Sequence, residues 1–155
     1  KNAFVLVIGG SGEGMENITK VCLALHKTKL NFKAFVVCGK NLVLRTRIAT
    51  RLFHDKRFAV LGYCENMATL LTSADLFIGK TGANIMFECL ATQTPMIVTA
   101  PVLAQEEGNR DFIKNNNLGW VEVKTENIVN IVKSCMKDYS LVTEKKRRIV
   151  TLQKK

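Results

Sequence analysis

Short apolar runs alternate with amphipathic segments along the whole chain, and few folds accept such a pattern. Runs such as AFVLVI (3–8) and MIVT (96–99) are apolar at consecutive positions, as strands are when a parallel sheet buries both of their faces. The pattern predicts strands at 3–8, 33–38, 58–61, 76–78, 96–99 and 120–123. Helices are expected at 15–30, 41–53, 66–72, 84–92, 106–116, 125–137 and 141–152. In the first, Met15, Ile18, Cys22 and Leu25 recur at spacings of three, four and three, one face of a helix. A strand followed each time by a helix makes an α/β fold, a doubly wound, Rossmann-like six-stranded parallel sheet. With 155 residues, 47% of them hydrophobic, one compact domain is expected. Sheets of this kind bind ligands at the carboxyl ends of their strands, so the informative loops are 9–14, 39–40, 62–66, 79–84 and 100–109.

Loop 9–15 reads GGSGEGM, and its glycines allow a phosphate to approach the backbone beside a helix start. The spacing is Gly10, Gly12, Gly14 rather than GxGxxG. The second strand also ends in Cys38–Gly39–Lys40, where a dinucleotide site places an acid, which argues against NAD. The GKT at 79–81 is not a Walker A motif, because Ala74 stands where its first glycine belongs and DLFI reads as strand.

Two further loops carry polar chemistry. At 61–71, LGYCENMATLL, a strand ends at Gly62 and a short helix opens at Asn66–Met67, leaving backbone groups free to meet a base edge or simply to turn. At 79–84, Gly82 breaks a buried strand and a helix opens at Ala83–Asn84. Such a helix start offers unpaired amides and the positive end of a dipole, with Lys80 beside it. Glu88 follows about one turn later, i+4 from Asn84 and i+3 from Ile85, and suits a grip on two ribose hydroxyls. In APVLAQEEGN (100–109), Gln105, Glu106 and Asn109 supply donors and acceptors for sugar hydroxyls, or else cap a charged first turn.

Several classes are disfavoured. Cys22, Cys38, Cys64, Cys89 and Cys135 are odd in number and contain no CxxC pair, and His26 and His54 sit in unrelated contexts; no metal site and no cofactor are expected. The net charge of +10 peaks in EKKRR at 144–148, read as a solvated terminal helix or as attraction to anionic lipid. Nucleic acid is not expected as a partner, because the basic residues lack interleaved aromatics. No apolar run approaches the roughly 20 residues that span a bilayer. Strand-like sequence follows Lys1 almost at once, with no leader before it, so an excised domain is expected.

Taken in order, GGSGEG, VVCGKN, LGYCENMATLL, SADLFIGKTGANIMFECLATQTPMIV and QEEGN–LGW resemble the C-terminal donor-binding domain of GT-B fold glycosyltransferases. The resemblance is to the group of monogalactosyldiacylglycerol synthases, processive diacylglycerol glucosyltransferases and the N-acetylglucosaminyltransferase that makes lipid II, and QEEGN after IGKTGA is more like the diacylglycerol enzymes. It implies that Gly10, Ser11, Gly12 and Gly14 approach the diphosphate and that Lys80, Gly82, Ala83 and Asn84 hold phosphate. By the same resemblance Gly62, Tyr63 and Met67 would meet uracil, Glu88 the ribose, and Gln105, Glu106 and Asn109 the donor sugar. Gly82–Ala83–Asn84–Ile85 stands where the family usually has a turn with a second glycine. The implied substrates are UDP-galactose, UDP-glucose or UDP-N-acetylglucosamine and a lipid acceptor, with no metal. The catalytic base and acceptor groove would lie on an N-terminal domain outside this chain, and the enzyme would be cytoplasmic and peripheral to the membrane. A UDP-sugar epimerase domain, a stand-alone donor subunit working with a membrane partner, and a regulatory module remain alternatives.

Overall fold

The computed structural model describes residues 3–9, 15–99 and 104–154, with backbone only at Met15 and Gln105. Among these residues the order is β1 (Phe4–Gly9), α1 (Met15–His26), β2 (Phe32–Val37), α2 (Leu42–Leu52), β3 (Phe58–Leu61), α3 (Met67–Ser73), β4 (Leu76–Gly79), α4 (Ala83–Ala91) and β5 (Met96–Val98). A 3-10 turn (Ala104–Glu106), α5 (Glu107–Asn115), β6 (Gly119–Val121), α6 (Thr125–Lys137) and α7 (Ser140–Gln153) follow. The strands form one parallel sheet in the order β3-β2-β1-β4-β5-β6. The chain winds outward from β1 to β3, returns to place β4 beside β1, and winds out the other way. This is the expected doubly wound sheet.

Alternate side chains of each strand enter opposite layers. Leu6 and Ile8 of β1 join a layer with Ile18, Cys22 and Leu25 of α1, Ile48 of α2, and Ile128 and Val132 of α6. Val7 joins the other layer, with Phe77, Met86 and Cys89 of α4, and Ile113 of α5. Helix α7 serves both, sending Val142 into the first and Ile149 into the second. Its start is tied to the sheet by the Tyr139 hydroxyl, which donates to Asp75 Oδ1 (2.6 Å) while Asp75 Oδ2 accepts from the Val5 amide (2.8 Å).

Helix ends differ by a few residues from the expected ones, for local reasons. α1 stops at His26 rather than residue 30, because the Thr28 hydroxyl and amide both turn back to the Leu25 carbonyl. Arg57 then locks the corner by donating to the carbonyls of His26, Thr28 and Leu30. α4 and α5 end in Schellman motifs with Gln93 (φ 58°) and Asn117 (φ 54°) in the left-handed region.

Candidate functional site

At the switch point the carboxyl ends of β1 and β4 lie side by side, with Gly9 opposite Gly79. They can do so because Gly79 carries no side chain: a Cβ there would stand 2.0 Å from the Gly9 carbonyl oxygen. Above this point opens a cleft of about 690 Å³. Gly9, Val37 and Phe77 form part of its lining, with Lys40, Tyr63, Cys64 and Met67 from the β2 and β3 ends. Lys80, Gly82, Ala83, Asn84, Ile85 and Glu88 come from the β4–α4 segment, and Glu106 from the 3-10 turn.

The start of α4 leaves its backbone donors open. Gly82 is its N-cap and has no side chain to cap with, and the first turn carries no acid. The first helical bond runs from the Met86 amide to the Gly82 carbonyl (3.0 Å). The amides of Ala83, Asn84 and Ile85 therefore have no acceptor among the described residues, and they stand at the positive end of the helix dipole. No second glycine is needed, since Ala83 and Asn84 already adopt helical backbone.

Beside this end lies an under-satisfied polar pair. Lys80 is 9% exposed, and its Nζ lies 3.8 Å from Glu106 Oε2, near enough for charge attraction and too far for a hydrogen bond. Among the described residues Glu106 Oε2 and the buried Thr81 hydroxyl have no hydrogen-bond partner. Buried polar atoms left unpaired are uncommon. Asn109 fixes the approach to the helix, its Nδ2 donating to the Thr81 carbonyl at 2.8 Å.

The cleft brings together Lys80, Gly82, Ala83, Asn84, Glu88, Tyr63, Met67 and Glu106 of the predicted site. Asn109 stands behind the lining, holding the β4–α4 segment, and Gly62 faces the Arg45 guanidinium rather than the cleft. Gly10, Ser11, Gly12 and Gly14 lie outside the described residues, as does the Gln105 side chain. Sequence reasoning marked loops 39–40 and 62–66 as ligand-facing but assigned no role to Gly39, Lys40 or Cys64, which line the cleft. The signal was present in Cys38–Gly39–Lys40, which follows β2 directly: Gly39 takes a left-handed φ of 57° that turns the chain, and Lys40 Nζ sits 5.4 Å from the centroid of the exposed Tyr63 ring.

Comparison with known proteins identifies relatives of this chain. Residues 4–147 match the profile described as "Glycosyltransferase family 28 C-terminal domain". The chain is 30% identical over 149 residues to a "Processive diacylglycerol beta-glucosyltransferase" of Bacillus licheniformis, covering 96% of this chain and 39% of that protein. It is 32% identical over 124 residues to "Monogalactosyldiacylglycerol synthase 3, chloroplastic" of Arabidopsis thaliana, covering 74% of this chain and 26% of that one. Thus the chain spans well under half the length of these relatives. Among solved structures, Acinetobacter baumannii MurG superposes with a TM-score of 0.76 at 20% identity, over 96% of this chain and 45% of that one. Anabaena Alr3699/HepE, solved in complex with UDP and glucose, gives 0.76 at 16% identity, over 97% and 43%. At such identities the structures establish the shared fold.

Proposed function

Since the chain belongs to the glycosyltransferase family 28 C-terminal domain family, we propose that it binds a UDP-sugar as the donor half of a hexosyltransferase acting on a lipid such as diacylglycerol. UDP-glucose and UDP-galactose are the favoured donors, in keeping with the names of the two relatives. The single observation that carries the reading is the uncapped start of α4, open to the cleft at the switch point, with buried Lys80 beside it.

The roles follow from charge and reach. The amides of Ala83, Asn84 and Ile85 and the Lys80 ammonium offset the diphosphate, and they offset it most when the sugar departs and negative charge builds on UDP. No metal is invoked for that task. Glu88, one turn into α4, accepts from the ribose hydroxyls. Tyr63 and Met67 flank the uracil. The donor sugar donates a hydrogen bond to Glu106 Oε2, which has no hydrogen-bond partner among the described residues. No residue here is assigned as catalytic base; that group and the acceptor groove are placed on a further domain of a longer protein, facing the cleft.

Calorimetry with UDP, GDP and ADP tests the proposal. UDP is expected to bind more tightly than the purine nucleotides, and Glu88→Ala to weaken UDP by about 1–3 kcal/mol, the range for a charge-assisted hydrogen bond. Equal affinity for all three nucleotides would defeat the uridine assignment, and unchanged UDP affinity in Glu88→Ala would make that residue an ordinary helix acid.

A further inference from the structure

Helix α2 carries two apolar stripes, and only one is buried. Leu44, Ile48 and Leu52 face the core. On the opposite face Leu42 and Val43 are each 69% exposed, and Phe53, the C-cap residue, is 74% exposed. At 3.6 residues per turn, positions 42, 46, 50 and 53 line up with 43 beside them, over about 16 Å. The intervening Thr46 and Thr50 are exposed and uncharged.

The flanks of this stripe are basic. Arg45, Arg47 and Arg51 are exposed and border it on both sides, and α2 contains no acid. Asp55, the nearest acid beyond the helix, is occupied by Arg57 and His26. Three of the seven large hydrophobic side chains exposed among the described residues belong to this helix and its cap, with the Phe53 ring lying against His54 (centroids 3.6 Å).

An apolar face bordered by cations is the chemistry of a helix lying in a bilayer interface, where apolar side chains enter the acyl boundary and arginines meet anionic headgroups. We propose that the outer face of α2 docks this protein on an anionic lipid bilayer. Nucleic acid would engage the arginines but leave Leu42, Val43 and Phe53 without a partner. Helix α7 has the denser charge, yet it contributes none of the exposed large hydrophobics, and its Glu144 pairs with Arg148 (3.1 Å). The stripe begins next to Lys40, a lining residue of the cleft, so docking brings the cleft mouth toward the membrane. The inference stands apart from the donor reading and is measured separately.

Co-sedimentation with vesicles tests it. In about 0.1 M salt the chain is expected to bind vesicles of equal phosphatidylglycerol and phosphatidylcholine and to ignore phosphatidylcholine alone. Leu42→Ser/Val43→Ser/Phe53→Ser should lower the partition coefficient about tenfold or more. Replacing Arg45, Arg47 and Arg51 with Gln should lower it about fivefold per arginine. Neutralising Lys146, Arg147 and Arg148 of α7 should change it far less. UDP affinity in solution should be the same in all of these variants, so a failed donor reading and a failed docking surface give different results. Phe53→Trp keeps the apolar contact, and this variant should show a blue-shifted emission on anionic vesicles that the parent chain, with Trp120 alone, does not. Indifference of the parent chain to anionic vesicles overturns the proposal. So does unaltered binding by the triple serine variant, binding to RNA in place of vesicles, or an emission from the Phe53→Trp variant that vesicles do not shift.

Discussion

Cys64 reports on the cleft at the level of a single side chain. Cys22, Cys38, Cys89 and Cys135 are buried, whereas Cys64 is half-buried and lines the cleft beside Tyr63 and Met67. Burial pushes the Cys22 thiol up to about 12 and Cys135 up to about 11, and raises Cys38 and Cys89 as well, so these four hold protons that a thiolate-directed reagent needs removed. The folded chain is therefore expected to lose one thiol rapidly to such a reagent, and Cys64→Ser to abolish that phase. Saturating UDP should slow it several-fold if the base end of the donor lies against Tyr63. An unprotected Cys64 would move the base elsewhere. The same residue-level reading explains Glu106: its pairing with Lys80 crosses 26 positions of sequence and was invisible there, although both residues were marked as polar groups at strand ends.

Two elements have consequences for stability. The β1–β4 contact tolerates no side chain at Gly79, so Gly79→Ala is expected to destabilise the fold by about 3 kcal/mol, the upper range of overpacking. Gly108→Ala in α5 meets open space and should be neutral or slightly stabilising by comparison. Urea unfolding of both variants measures the difference. At the α2–β3 turn, Asp55 accepts from Arg57 Nε (2.9 Å), Arg57 Nη2 (2.7 Å) and the Arg57 amide (3.0 Å), and pairs with His26 Nδ1 (2.7 Å). The Arg57 side-chain bonds, before all else, hold the Asp55 carboxyl well below the usual carboxylate range. A carboxyl lowered by folding stabilises the native state above its unfolded value, about 3.9, and that contribution fades as pH falls below it. Asp55→Asn should therefore lower Tm at pH 7, keep most of that deficit near pH 3 and lose the rest only in more acid solution, as pH falls through the depressed folded value; a deficit that does not shrink in acid would assign Asp55 a purely steric role. The elements themselves were legible because strand and helix periods are local. Arg57 was not, because its acceptors are backbone carbonyls that no side-chain pattern records. Nor was the outer face of α2, because a search for one buried stripe stops at Leu44, Ile48 and Leu52.

For the whole molecule, strand order lies beyond sequence periodicity, since any strand with two apolar faces can neighbour any other. Pairing of β1 with β4 sets the switch point, and only the fold makes Lys80, the α4 amides, Glu88, Tyr63 and Glu106 parts of one cleft. In sequence they are separate loops joined by a family resemblance. The claim that this cleft takes the diphosphate of a UDP-sugar is tested most directly by following backbone amide NMR signals of the 17.3 kDa chain during titration with UDP. The largest shifts are expected at Ala83, Asn84 and Ile85, with smaller ones at Gly39, Tyr63 and Met67. Saturation with UDP that leaves the three α4 amides unmoved would contradict the account.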